Sequence, residues 1–411
     1  MGKASGKYQG MRLEDLAEAM VKCSHCAFCQ AACPVFKEDL LETHMPRARM
    51  EIIGVSLLDR ELSPTRRVRE IVDRCLLCSS CTHTCPANVP VDDVVAAARN
   101  RLGAKSGKNP FVRLGRKKFM ESRGLSGMYA AVGRSVRNRG LLPDELPPIA
   151  REPLSLAFAP GEQPHESPRR ARAAYFAGCA TNAGYTDTGR DVLDVLARNG
   201  VEAVLVPELV CCGMPAFAEG DFAYAARLAE KNVEALSRIE ADALVCDCTS
   251  CAYMFARKIP ALLGPDHPLA EKAAALAAKT AEVTDYLARL GLSAELGTLA
   301  ETYTYHVPCH AKFSETLAEA PRELLTRIPG LTLIEMDQPD ACCGAGGGFF
   351  LGHRDLSMAI REKKLSDIGQ TGASAVATQC PSCRGFLSAP LAGKTRVVHP
   401  VTILARSMRR A

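Results

Sequence analysis

The sequence predicts a multidomain α+β/α/β chain: a helical, cysteine-bearing module comes first, and one α/β unit follows twice. Three observations predict this. The spacing Cys23-x2-Cys26-x2-Cys29-x3-Cys33-Pro34 returns as Cys75-x2-Cys78-x2-Cys81-x3-Cys85-Pro86. Residues 143–170 are crowded with Pro143, Pro147, Pro148, Pro153, Pro160, Pro164 and Pro168. Beyond them, five cysteines recur in one order. Cys179 matches Cys309 at an offset of 130, Cys211 and Cys212 match Cys342 and Cys343 at 131, and Cys248 and Cys251 match Cys380 and Cys383 at 132. A near-constant offset across five counterparts marks a duplication.

The elements follow in order. Residues 11–22 read as an amphipathic helix entering the first cysteine loop, and residues 46–74 as a charged helical stretch between the loops. After Cys85, VPVDDVVAAARNRL reads as a helix with Asp92 and Asp93 in its first turn, where the positive end of the dipole favours them. The proline-rich stretch reads as a linker. The first repeat then offers a strand (AAYFAGC), a helix (TDTGRDVLDVLARNG), a strand (VEAVLVPE), Cys211-Cys212-Gly213, a helix (FAYAARLAEKNVEALSRI) and a strand (ADALVCDC). The second repeat keeps the order, with strands YTYHVPC and ASAVATQC around Cys342-Cys343-Gly344. Alternating strands and helices predict a mainly parallel sheet, whose ligands sit beyond the carboxyl ends of its strands. The cysteines stand at those ends.

Composition narrows the chemistry. The 411 residues are 47% hydrophobic, enough for sizeable cores, but only 5% are aromatic and none is Trp. That argues against stacking platforms for nucleic acid. No run of about 18 apolar residues predicts a membrane span. The N-terminus lacks the apolar core of a secretory signal, and Gly6 breaks the myristoylation pattern. Nineteen cysteines then imply a reducing compartment and metal ligation rather than disulfides.

The paired runs carry the spacing of a bacterial-type ferredoxin with two 4Fe–4S clusters. Three thiolates of one tight loop cap three irons of one cube, and the fourth cysteine reaches the other cube. Cys23, Cys26, Cys29 and Cys85 are thus expected to hold one cluster, and Cys75, Cys78, Cys81 and Cys33 the second. In the repeats, Cys179, Cys211, Cys212, Cys248 and Cys251, then Cys309, Cys342, Cys343, Cys380 and Cys383, offer soft thiolates suited to iron–sulfur centres or to zinc. An adjacent cysteine pair suits a larger cluster better than one tetrahedral ion. Gly213 and Gly344 let the backbone approach it.

The pattern Cys179…Cys211-Cys212-Gly213…Cys248-x2-Cys251 and its copy resembles the cysteine-rich CCG domain family. That family includes catalytic subunits of heterodisulfide reductases and iron–sulfur subunits of glycolate- and lactate-oxidising complexes. A two-cluster ferredoxin module followed by two CCG domains looks like the iron–sulfur subunit of glycolate oxidase, and Pro46-Arg47-Ala48-Arg49 is similar to its Pro-Arg-Gly-Arg element. Subunits of that type often lack part of a CCG cysteine set. Here both sets are complete, as in heterodisulfide reductases, where five cysteines hold a non-cubane 4Fe–4S cluster that cleaves a disulfide.

Other residues invite readings. Cys246 lies two before Cys248 on one strand and reads as a packing residue rather than a sixth ligand. His25 and His83 sit in the ferredoxin loops, facing solvent or tuning a cluster through hydrogen bonds. His306 and His310 flank Cys309 and are candidate proton donors near the second CCG site. Gly344-Ala345-Gly346-Gly347-Gly348 fails G-x-G-x-x-G at Phe349 and reads as room for a cluster. Residues 99–139 concentrate Arg99, Arg101, Lys105, Lys108, Arg113, Arg116, Lys117, Lys118, Arg123, Arg134, Arg137 and Arg139 against the single acid Glu121, in a chain of net charge +5. They read as a docking face for an acidic flavoprotein or an anionic membrane surface, or as a solvated helical face.

The expected fold is an α-helical two-cluster ferredoxin-like domain (1–105), a basic helical segment and linker (106–172), and two duplicated Rossmann-like α/β CCG domains (173–298 and 299–411). The expected function is iron–sulfur electron transfer from a FAD-containing dehydrogenase subunit to a quinone or other acceptor. Two 4Fe–4S clusters are joined by one or two further iron–sulfur clusters, non-cubane among the options, or by zinc. The alternative is a thiol–disulfide oxidoreductase. The expected setting is the cytoplasm, with contact at the inner face of the membrane, and no nucleic acid partner.

Overall fold

The computed structural model describes residues 10–59, 64–103, 110–121, 126–157, 169–206 and 208–411. Two sheets, both wholly parallel, follow a helical N-terminal region. The first contains β1 (Ala171–Phe176), β2 (Val201–Leu205), β3 (Ala243–Cys246) and β4 (Thr280–Glu282), in the order β2-β1-β3-β4. The second contains β5 (Thr302–Tyr305), β6 (Thr332–Leu333), β7 (Ala375–Ala377) and β8 (Arg396–Val398), in the order β6-β5-β7-β8. The duplication read from cysteine spacing is thus a duplication of sheet topology. Three strands escaped the sequence reading: β4, β6 and β8 are only two or three residues long, too short to show a period.

The repeats also share their support. Tyr175 donates its hydroxyl to Asp247 (2.9 Å), and Tyr305 donates to Gln379 (2.6 Å), the residues before Cys248 and Cys380. Gln379 in turn donates to Glu282 of β4 at 2.9 Å, joining the two sheets through a buried polar contact. One apolar core runs across both, from Tyr175, Val192 and Leu196 to Tyr303, Leu324 and Leu404.

The N-terminal region packs on the first repeat. Helix Val91–Arg101 buries Val94, Val95, Ala96 and Ala98 completely. Each such Val contributes about 1.5–3 kcal/mol. At its end, Arg99 donates to Ala218 O (2.6 Å) and Asn100 to Gly220 O (2.8 Å). Residues 11–22 differ from the long helix expected. They form a 3-10 turn, Glu14–Leu16, and a short helix, Ala17–Val21, and neither buries a residue. The burial comes instead from Met11 and Leu13 before them.

The proline-rich stretch is not a free linker along its described part. Leu154 is fully buried, the Ser155 N–H donates to Asn182 Oδ1 (2.9 Å), and the Ala150 N–H donates to Ala183 O (2.8 Å). Residues 158–168 lie outside the described residues.

The basic segment spends much of its charge inside the molecule. Besides Arg99, Lys117 pairs with Asp221 (2.6 Å), Arg101 pairs with Glu14, Arg134 donates to Ala150 O (2.5 Å) and Arg137 to Leu146 O (3.0 Å). Lys118 and Arg139 are exposed. Lys105, Lys108 and Arg123, and the side chains of Arg113 and Arg116, lie outside the described residues. Among the described residues no helix is long and apolar enough to cross a membrane.

Candidate metal centres

The ferredoxin-type loops are built on backbone that ordinary residues avoid. His25 and Ala27 in the first loop, and Leu77 and Ser79 in the second, have φ of 56°, 65°, 51° and 58°. These four left-handed, non-glycine residues occupy matching places, each pair 52 positions apart (25 and 77, 27 and 79). Such backbone costs about 1–2 kcal/mol per residue, strain of the kind that clusters at functional sites. In the second loop the Leu77 N–H turns onto Cys75 Sγ at 3.4 Å, the donor pattern that supports a coordinated thiolate.

The thiols of the two runs lie in mixed groups. Burial pushes the Cys29 thiol up, and neighbouring Cys23, Cys26 and Cys85 push the same way. The Cys78 thiol is raised to about 11 by burial, with Cys33 and Cys75 adding to it. Cys81 is raised by burial and then by Cys78, Cys75 and Cys33. Cys33, Cys75, Cys78 and Cys81 line one enclosed cavity with Pro34 and Arg49. The fourth cysteine of each run therefore lies with the other run's three. Cys26 is the exposed member of the first group.

Arg49, from the Pro46-Arg47-Ala48-Arg49 element, is buried beside this cavity. It donates to Ile71 O (3.1 Å) and Arg74 O (3.0 Å), and its guanidinium partly offsets the effect of burial on Cys33. Of the loop histidines, His25 is exposed and lies 3.4 Å from Glu51, while His83 is edge-on to Tyr253 with ring centroids 6.1 Å apart.

Both pentads converge where the strands end. In the first repeat, Cys212 and Cys251 sulfurs are 3.5 Å apart, and Cys211 contacts Cys179 and Cys212. In the second, Cys343 and Cys383 sulfurs are 3.3 Å apart, with Cys342 against Cys343 and Cys309. The counterparts Cys212 and Cys343 are both held well below the usual thiol range. Cys212 is held by hydrogen bonds from Cys211 and Cys251, Cys343 by those from Cys342 and Cys383. A thiolate is the form that binds metal. Crowded, buried thiols, of which Cys212, Cys343 and Cys380 are held low while their neighbours are raised, fit a soft multi-metal group.

Gly213 and Gly344 open the turns after the cysteine pairs at φ of 93° and 89°. The neighbouring glycines play another part than the one expected. A Cβ on Gly346 would lie 2.4 Å from Leu76 Cδ2, so that loop makes room for the second ferredoxin loop as well as for its own centre.

The sites adjoin one another. The Thr249 N–H of the first repeat donates to Gln379 O of the second (3.2 Å), which sets Cys248 beside Cys380. Cys78 of the second ferredoxin loop acts electrostatically on Cys309 and Cys342. An apolar cluster of Cys33, Leu76, Phe349 and Ile360 closes that seam. His310 lies at the junction: its Nε2 donates to Leu77 O (3.0 Å) and its Nδ1 accepts from Ser250 Oγ (2.9 Å). Both nitrogens are engaged, which suits a strut between three sites better than a proton donor. His306 is buried against Cys343 and Cys383. Cys246 is fully buried on β3, its thiol raised by burial.

One group the sequence reading did not connect to the site is the Asp92–Asp93–Lys258 cluster. Lys258 lies 2.8 Å from Asp92 and 2.6 Å from Asp93, and Asp92 also accepts from Ser79, Thr82 and Tyr253. It locks the second cysteine loop to the first repeat. The only signal in the sequence was the acidic pair itself, which helix capping already explained.

Fold and thiol inventory together define an iron–sulfur oxidoreductase subunit. The family model of the 4Fe-4S dicluster domain matches residues 19–89, and that of the cysteine-rich domain, CCG, matches residues 173–256 and 303–388. The probable glycolate oxidase iron-sulfur subunit of Bacillus subtilis (strain 168) is 27% identical over 416 aligned positions, covering 94% of this chain and 93% of its own length. Lactate utilization protein A of Shouchella clausii is 32% identical over 199, covering 48% of this chain and 82% of its own. One subunit of the dihydromethanophenazine:CoB--CoM heterodisulfide reductase of Methanosarcina barkeri is 28% identical over 341, covering 80% and 76%. The chain belongs to the family of iron–sulfur proteins that join a 4Fe-4S dicluster domain to two CCG domains.

Proposed function

We propose that this chain is the electron-transfer subunit of a flavin-linked complex oxidising a 2-hydroxy acid, lactate or glycolate. Cys23, Cys26, Cys29 and Cys85 hold one 4Fe–4S group, Cys75, Cys78, Cys81 and Cys33 a second, and each pentad a further iron–sulfur centre. When bound, these groups carry single electrons. The chain's own part is to hold them in sequence, keep water from the inner ones and present the outer one. A FAD-containing dehydrogenase subunit is the donor, and a quinone or another acceptor takes the electrons. The complex works in the cytoplasm, at the inner face of the membrane. Each four-stranded sheet is read as a Rossmann-like unit.

The observation that carries the reading is the seam at Cys78. Cys78 of the second ferredoxin set and Cys342 of the second pentad pack against one apolar cluster of Cys33, Leu76, Phe349 and Ile360, so the two sets are neighbours. The donor is read to dock at the other end, where Cys26 is exposed and Val21 and Phe28 flank the loop at 86% and 58% exposure. The names of the relatives support the substrate class. The test is anaerobic reconstitution with the FAD-containing subunit. Lactate or glycolate should then bleach the iron–sulfur absorbance, and this chain alone should be inert toward both acids. Oxidation of either acid by a flavin-free preparation of this chain would overturn the reading.

A second reading, thiol–disulfide reduction, is favoured by one feature. Both pentads are complete, and the Thr249 N–H bond to Gln379 O sets Cys248 beside Cys380 across the repeats. Reduction of a disulfide by a low-potential donor, lost in Cys248→Ser, would establish it.

A further inference from the structure

His306 follows β5 directly and stands three residues before Cys309; its counterpart, three before Cys179, is Phe176. Both are fully buried. Phe176 packs edge-on against Phe255, with centroids 4.8 Å apart, so the fold fills this position with a plain apolar ring when nothing more is asked of it. His306 is not used that way. Neither its Nδ1 nor its Nε2 has a nitrogen or oxygen hydrogen-bond partner among the described residues. Its one partner is sulfur, a hydrogen bond that helps hold the Cys343 thiol low, and a buried imidazole left to sulfur alone calls for a cause. The backbone supplies none, since the His306 N–H is already donated to Ala377 O at 3.0 Å. What the ring meets is sulfur: its ligand nitrogen, Cys343 Sγ and Cys383 Sγ all lie within 4.8 Å of one another. The nearby His310, by contrast, has both nitrogens engaged.

We propose that His306 is a nitrogen ligand to iron in the centre of the second pentad, making the two repeats chemically unequal. The first repeat holds a thiolate-only centre and the second a mixed thiolate–imidazole one. This rests on the reading that the second pentad holds iron. Imidazole suits iron as a ligand, and a neutral imidazole where thiolate would add negative charge makes a centre easier to reduce. The second centre is then the natural sink for an electron arriving past Cys78, and electron flow through the chain acquires a direction.

The test uses the whole chain with 15N-labelled histidine, followed by pulsed EPR across a complete redox titration. A histidine nitrogen coupling of directly bound strength is expected in the wild type. His306→Phe, which copies the first repeat, should lose that coupling, keep the ferredoxin-type signals and move the midpoint of the affected centre to lower potential. Iron analysis of Cys342→Ser separates the two ways to fail. Iron that falls in Cys342→Ser, with no histidine coupling at any potential or only the weak coupling of a hydrogen bond, overturns the His306 assignment alone. Iron unchanged in Cys342→Ser, or zinc in the second pentad, overturns the underlying reading and this assignment with it.

Discussion

Lys258 is buried between two carboxylates, and its single positive charge cannot hold both of them low. Burial would raise Asp92, but the ammonium and the hydroxyls of Thr82 and Ser79 bring it well below the usual carboxylate range. Asp93 is pushed up to about 6 by burial and by the charge of Asp92. A folded value above the ordinary 3.8 means that the folded chain binds this proton more tightly. Asp93 therefore favours the folded state fully below about pH 4, and that contribution is lost as pH rises through about 6. Asp93→Asn is expected to flatten the acid-side slope of thermal stability over that window, measured by calorimetry; an unchanged slope would assign it to other groups. Arg49 is the second residue on which much depends. Arg49→Leu leaves the buried carbonyl of Ile71 and the part-buried one of Arg74 without this donor, a loss of about 1–3 kcal/mol. It should appear as a lower denaturant midpoint, with altered signals from the second ferredoxin site and unaltered ones from the first.

At the scale of elements, the turn after each cysteine pair is the sharpest constraint. A Cβ at Gly344 would sit 2.5 Å from Ser357 O on helix Arg354–Thr371, whereas at Gly213 the nearest atom, Ala225 O, is 3.4 Å away. Positive φ costs Ala about 1–2 kcal/mol at either site, but only Gly344 adds a backbone clash. Gly344→Ala should therefore empty the second pentad of iron, while Gly213→Ala should keep most of the first pentad's iron. Metal analysis of the two variants side by side checks this, and equal losses would show that φ alone decides. The left-handed residues of the ferredoxin-type loops tell a related story. Little in Ser24-His25-Cys26-Ala27 announces a positive φ: His tolerates it better than most residues, but Ala does not favour it. The surrounding structure holds the conformation.

At the scale of the molecule, the cysteine sites form a connected series. Cys78 acts on Cys309 and Cys342, and Cys248 meets Cys380, so substitutions in the pentads should differ in reach. Cys342→Ser is expected to lower iron content and also to perturb the EPR signal of the second ferredoxin-type cluster. Cys211→Ser, on the far side, should lower iron and leave that signal alone. Identical EPR changes from both would break the proposed order of the chain of centres. The described part of the proline-rich stretch is fastened to the first repeat by Ser155 and to the second by Glu145, which pairs with Arg354 and Arg361.

The cysteine spacing by itself determined the two ferredoxin-type runs and the duplication, and from it came the expectation of crossed ligand sets and of pentads at strand ends. Spacing encodes these things because short loops restrict which sulfurs can meet, and because a parallel sheet gathers all its carboxyl ends on one side. What it could not decide was how the three modules face one another. Lys258 reaching Asp92 and Asp93, His310 joining Leu77 to Ser250, and Leu76 filling the space left by Gly346 are contacts between residues far apart in the chain. No local pattern records them. The contrast between His306 and Phe176 is of the same kind. Both letters were legible, but only packing showed that one ring is fully used by its neighbours while the other has sulfur as the only company for its two nitrogens.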